Sequence, residues 1–241
     1  VNLTSGCSIT VSDNGSVIYF IDQDHYIRGI YTDGSSEQIL SNSGMWSSIA
    51  LSPDGTKLAA TSIYSQPIIY LFDLSQGTAR EIELYIPTTS HETYQSKPQF
   101  ADALDWNISG DLIIYDTYVS RKLATGDSLY CWDINLLDPN SGIITRPFPL
   151  VEEGVSLGNP TFSQTSQYVF CFDMMVENYN QTGQSVDFIV GANLYTGQTG
   201  QIFGYYSNEP FYPCYSITDD SLIFHFYNTT SSRYELYKIK L

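Results

Sequence analysis

The sequence predicts an all-β protein made of repeated four-stranded antiparallel meanders, and three observations carry that prediction. Short apolar and aromatic runs alternate with turn-forming residues along all 241 positions. Aromatics make up 15% of the chain, including 20 tyrosines, which favours pleated strands over helices. One turn-centred pattern returns five times, at intervals of about 40 to 56 residues, the spacing of four-stranded repeats. Together these predict a β-propeller of five blades.

The clearest copy runs from Trp46 to Leu84. A strand ending in Ile49-Ala50-Leu51 meets the tight turn Ser52–Gly55, and a second strand follows at Lys57–Thr61. A third, Ile68–Phe72, leads through Ser75-Gln76-Gly77 into a fourth, Arg80–Leu84. Aligned on the first turn, the other copies begin at Ile9, Leu104, Pro160 and Pro213. Glycine stands in that turn at Gly15, Gly55 and Gly110, whereas Ser166 and Asp219 replace it in the last two copies. Glycine adopts a positive φ without strain, so the two copies lacking it are expected to turn differently. The strands Val17–Ile21, Ile68–Phe72, Leu112–Tyr115, Val169–Phe172 and Leu222–Phe226 read as apolar and aromatic runs interrupted only by His225, as strands covered on both faces require.

The fifth copy stops after its third strand, Tyr234–Leu241, while Val1–Thr4 reads as a fourth strand standing before the first copy. Pairing the two would complete the last blade and close the ring, removing an unpaired sheet edge. The expected blades are therefore residues 5–43, 44–86, 100–150, 157–204, and 209–241 plus 1–4, in a single domain.

SPDGTKLAATS followed by IIYLFDLSQG resembles the WD40-like (PD40) repeat of TolB-type propellers, whose second strand follows an SPDG-like turn. The opening NLTSG is similar to the end of that repeat's fourth strand. The resemblance implies a binding module located outside the cytoplasm, periplasmic or secreted. TolB itself carries more blades and an extra domain.

Composition narrows the partners. Against 26 acidic residues stand only 10 basic ones, a net charge of −16, which disfavours nucleic acid and anionic membrane surfaces. The longest apolar runs, about six residues, fall far short of the roughly 20 needed for a membrane-spanning helix. The chain begins at Val1 and is read as a mature or excised domain. Cys7, Cys131, Cys171 and Cys214 lie far apart and are read as buried thiols, with Cys7–Cys214 the pair to test for a disulfide. Of five Asn-X-Ser/Thr triplets, those at Asn14 and Asn107 fall at turns, where glycan acceptors belong.

No catalytic motif, metal-ligand spacing or cofactor fingerprint emerges. Gly154–Gly158 matches G-x-S-x-G, but no helix follows, and the segment reads as a connection between blades. The informative pattern lies in the loops after second and fourth strands, which converge on one face of a propeller. They are long and aromatic. Trp46, Tyr64, Tyr118, Met174, Tyr206 and Phe211 fall there, with Asp22, Asp116 and Asp173 at matching strand ends. Aromatic platforms beside carboxylates suit a small sugar or a peptide, while a rigid face of variable loops makes another protein the expected partner. The alternatives are a carbohydrate-binding or glycoside-hydrolase propeller, in which two of these aspartates would be the catalytic pair, and the gating propeller of a larger peptidase.

Overall fold

Four of the five sheets follow the same order, innermost strand to outermost. A computed structural model describes residues 8–12, 14–87, 96–122, 125–181, 183–205, 211–228 and 231–241. Blade 1 comprises β1 (Ile9–Val11), β2 (Val17–Ile21), β3 (Ile27–Tyr31) and β4 (Gln38–Ser41). Blade 2 holds β5 (Trp46–Leu51), β6 (Lys57–Ser62), β7 (Ile68–Asp73) and β8 (Thr78–Glu83). Blade 3 is formed by β9 (Ser96–Trp106), β10 (Ile113–Lys122), β11 (Ser128–Leu137) and β12 (Ile144–Thr145). In blade 4 lie β13 (Val155–Phe162), β14 (Val169–Val176), β15 (Val186–Asn193) and β16 (Thr199–Tyr205). Blade 5 shows β17 (Cys214–Tyr215), β18 (Ser221–Asn228) and β19 (Arg233–Lys240). All pairings are antiparallel, and among the described residues the only helix is one 3₁₀ turn at Tyr179–Gln181. The fold is an all-β propeller of five blades.

Blades adhere through apolar faces stacked in chain order. Ile21 and Ile27 meet Trp46 and Leu58 between blades 1 and 2. Ile69 and Leu84 meet Trp106 and Tyr115 between blades 2 and 3. Ile134 and Leu136 join Phe162 and Phe170 between blades 3 and 4, and Ile189 joins Phe211 and Phe224 between blades 4 and 5. Each such side chain withdrawn from water contributes about 1.5–3 kcal/mol. Among the described residues no comparable cluster joins blade 5 to blade 1. Ile9 and Val11 remain half exposed, and Leu236 is 80% exposed. The expected closing strand, Val1–Thr4, lies outside the described residues, as does Cys7 of the expected disulfide.

The first turns show how sequence and geometry part company. In blades 1, 2 and 3 the glycine N–H closes on the residue three before it, with φ between 66° and 72°. Blade 4 turns differently, as expected: Ser163 N–H reaches Val169 O, one residue further than in its counterparts. Blade 5 does not. Asp219 adopts φ 54° and donates to Ser216 O, reproducing the glycine turn with an aspartate. Its carboxylate explains the choice, because it crosses to blade 4 and accepts from Ser163 Oγ, Gln164 N, Thr165 N and Thr165 Oγ1. Asn107, by contrast, cannot accept a glycan here: it is 1% exposed, and its amide donates to Asp111. Cys131 and Cys171 are buried free thiols, and Cys214 is free and exposed.

Asp219→Gly would relieve the backbone strain but delete the cross-blade bonds. Their net value, about 1–3 kcal/mol for a charged acceptor, exceeds the strain relieved. Urea unfolding is therefore expected to show a loss of stability; a gain would assign the turn to backbone strain alone.

Candidate functional site

Bulges in the inner strands of blades 3 and 4 create the site. On β10 the pairing with β9 slips between Tyr115 and Thr117, leaving Asp116 without a partner on β9, although it pairs with Ile134 on β11. On β13 the pairing with β14 slips between Gly158 and Thr161, and Asn159 is driven to φ 49°. Slipped main chain leaves N–H groups unpaired, and buried N–H groups need acceptors. Asp116 supplies them. Its Oδ1 accepts from Ala103 N at 2.8 Å and Asp102 N at 3.3 Å, and its Oδ2 accepts from Asn159 N at 2.8 Å. A side chain at Gly158 would place its Cβ 3.3 Å from that same Oδ2, so the approach also depends on glycine.

Asp173 on β14 repeats the arrangement one blade on. Its Oδ2 accepts from Phe211 N, Tyr212 N and Asn159 Nδ2, all at 3.0 Å. Oδ1 is buried without a hydrogen-bond partner. Strand register identifies the shared position. Leu51–Leu58, Trp106–Ile113, Phe162–Phe170 and Tyr215–Leu222 face each other, and three residues further stand Thr61, Asp116, Asp173 and His225. Thr61 makes the same crossing, donating to Asp102 O of blade 3.

Asp116 and Asp173 line one cavity of about 230 Å³, together with Asp102, Trp132, Ser156, Gly158, Asn159, Met175, Asp187 and Tyr212. It lies toward the strand ends from which the long loops leave, and its lining contains four carboxyl groups and no cationic side chain. Burial pushes the carboxyls of Asp116 and Asp173 up to about 7, against the opposing pull of their N–H donors. Asp102, at the mouth but crowded by protein, is also raised by desolvation, and its charge raises Asp116 further. Behind the cavity Asp105, pushed up to about 6 by burial, accepts from Phe162 N and Thr161 Oγ1 of the next blade.

The remaining residues expected at the site are dispersed. In blade 1 the shared position belongs to Ile21, so Asp22 stands one residue off it. Asp22 caps its own turn through Asp24 N and Tyr26 N and pairs with Arg28. Trp46 is buried against Tyr70 and Phe72, with its indole N–H on Ser41 Oγ. Phe211 is buried between blades 4 and 5, and Met174 packs against the core between blades 3 and 4. Tyr64 is exposed. Tyr118 stacks in an aromatic cluster with Phe100, Tyr130 and Trp132, next to the cavity. Tyr206 lies outside the described residues. Ser156 of the G-x-S-x-G match sits within β13, not in an inter-blade connection, and its hydroxyl oxygen accepts from Trp132 N at 3.4 Å. Among the described residues no three His, Cys, Asp or Glu side chains are grouped to hold a metal. Asp102, Trp132, Asn159 and Asp187 were not anticipated; the Gly-Asn-Pro run at 158–160 was the one local sign of a bulge.

No protein-family model matches the chain, and no curated protein is similar in sequence. Solved structures share the architecture. TolB from Acinetobacter baumannii superposes with a TM-score of 0.66 at 14% identity, over 97% of this chain and 51% of that one. An oligogalacturonate lyase from Vibrio parahaemolyticus gives 0.59 at 11% identity, over 97% and 64%. The β-propeller domain of Cps50 (Swd1) from Myceliophteria thermophila gives 0.53 at 12% identity, over 93% and 63%. The chain thus spans between half and two thirds of the length of these proteins. At such identities the likeness establishes the fold alone.

The raised carboxyls set a pH dependence of stability. Asp105, Asp116 and Asp173 bind a proton more tightly folded than unfolded, so their contribution is full below the ordinary value of 3.8 and is lost as pH rises through 6 to 7. The turn carboxylates Asp54, Asp73 and Asp138 are lowered by hydrogen bonds, and their contribution is lost as pH falls below that ordinary value. Thermal midpoints are therefore expected to peak near pH 5 and to decline toward pH 8, with the decline reduced in Asp116→Asn. A midpoint that climbs from pH 5 to 8 would contradict the assignment.

Proposed function

We propose that the chain is a non-catalytic binding module that presents its loop-bearing face, with the acidic cavity between blades 3 and 4, to a protein partner. The cavity carries this reading: four carboxyl groups and two aromatic side chains face one recess, framed by rigid strands. Loops mounted on such a scaffold vary freely while the frame holds, which suits recognition. An extracytoplasmic location belongs to the same proposal.

The charge pattern weighs against nucleic acid and against acidic polysaccharide alike. A polyuronate entering this recess would meet Asp102, Asp116, Asp173 and Asp187 and no cationic side chain in the lining. A second reading rests on one observation, the two carboxyls that share Asn159. In a glycoside hydrolase one of such a pair would serve as acid. That role requires environments that push the two apart, whereas both stand near 7.

A photocrosslinking residue placed at Ser156, beside the cavity, and another at Tyr195, 80% exposed on a different surface, separate the readings. In extract from the native source, Ser156 is expected to yield a discrete protein adduct and Tyr195 none. Equal labelling at both would overturn the proposed face. Release of reducing sugar that disappears in Asp116→Asn would replace the reading with the glycosidase one.

A further inference from the structure

We propose, building on the partner reading, that the acidic cavity between blades 3 and 4 receives a single cationic side chain, an arginine or lysine, from the partner. Size excludes larger guests. At about 230 Å³ the recess falls below the roughly 300–1,000 Å³ of small-molecule pockets. It has room for one long side chain rather than an oligosaccharide.

The chemistry of the wall selects for positive charge. Two main-chain N–H groups, of Phe211 and Tyr212, and the side-chain amide of Asn159 already donate to Oδ2 of Asp173. Oδ1 of the same carboxyl, on a side chain 96% buried, has no donor. A guanidinium or ammonium carries donors and no acceptors, and would satisfy that oxygen together with Asp102 and Asp116. Trp132 adds an aromatic face to the same recess, and a cation over an indole is attracted by its quadrupole. A neutral hydroxyl would satisfy the orphan oxygen but leave the neighbouring carboxylates uncompensated.

Proton linkage follows from the same geometry. Among the described residues, the charged and titratable groups around Asp173 are Asp102 and Asp116 from blade 3, Cys171 on its own strand, Asp187 from the adjacent strand of blade 4, and Tyr212 from the approach to blade 5. His225, whose ring meets Tyr212 edge to face, lies beyond them. A cation favours the ionised carboxyl, so binding expels protons, and affinity drops as pH falls below about 7.

The probes are N-acetyl-arginine amide and N-acetyl-lysine amide, with N-acetyl-citrulline amide as the neutral twin of the first. Each is titrated into the full chain and followed through the Trp132 indole N–H resonance. Either cation is expected to saturate that shift at roughly millimolar concentration, as a ligand this small allows. Citrulline is expected to bind at least about tenfold more weakly, and acidification from pH 8 to 5.5 to weaken the cation by about tenfold or more. Asp173→Asn should abolish the shift. Should that variant fail to fold, Asp102→Asn removes a charge at the solvent-open mouth and is expected to weaken binding severalfold. Equal binding of citrulline and arginine, or a response unaffected by Asp102→Asn, would overturn charge recognition. No response to either cation, alongside a discrete adduct at Ser156, would overturn the cationic guest while leaving the partner face standing.

Discussion

One polar side chain per blade, at a fixed place on the second strand, fastens each of three successive blades to the next. Thr61 bonds to Asp102 O, Asp116 to Asn159 N, and Asp173 to Phe211 N and Tyr212 N. The need arises from the inner strands. Near the axis β9 and β13 slip out of register with their neighbours, and the freed, partly buried N–H groups take their acceptors from the protein. A carboxylate offers several acceptor sites and can serve strands in two blades at once. Asp116 bonds to β9 of its own blade and to β13 of the next.

That solution carries an electrostatic cost that shapes the site. Seating acidic side chains in the same inner layer of adjacent blades places them around one recess, withdrawn from water and beside one another. Burial then opposes ionisation while the N–H donors favour it, and burial prevails for both Asp116 and Asp173. Two of the three fastenings, Asp116 and Asp173, therefore also line the cavity. A cation entering the recess would relieve the repulsion that the fastening creates, which links the binding proposal to the fold itself.

The architecture was legible because it is written locally and repeatedly. SPDG, the flanking apolar runs and the return of the pattern specify a meander without reference to distant residues. The aspartate at position 219 was harder to read: alone it suggests a different turn, and only its bonds to Ser163, Gln164 and Thr165 show why it holds the glycine geometry. Residues lining the cavity were legible where strand position determines them, as for Asp116 and Asp173. They were not legible where a one-residue offset changes the face, as for Asp22, or where an aromatic near a loop turns inward, as for Trp46 and Phe211. Asp102 and Trp132 enter the recess from β9 and β11, strands to which the loop-based reading assigned no role.

The claim on which the rest depends is that the Asp116 and Asp173 carboxyls are desolvated in a shared recess. Carbon-13 NMR titration of aspartate side-chain carboxyls measures this directly. Two aspartates assigned to these positions should titrate near 7, above the bulk of the 26 acidic residues. Titration of both near the ordinary value of 3.8 would show a hydrated channel and contradict the account.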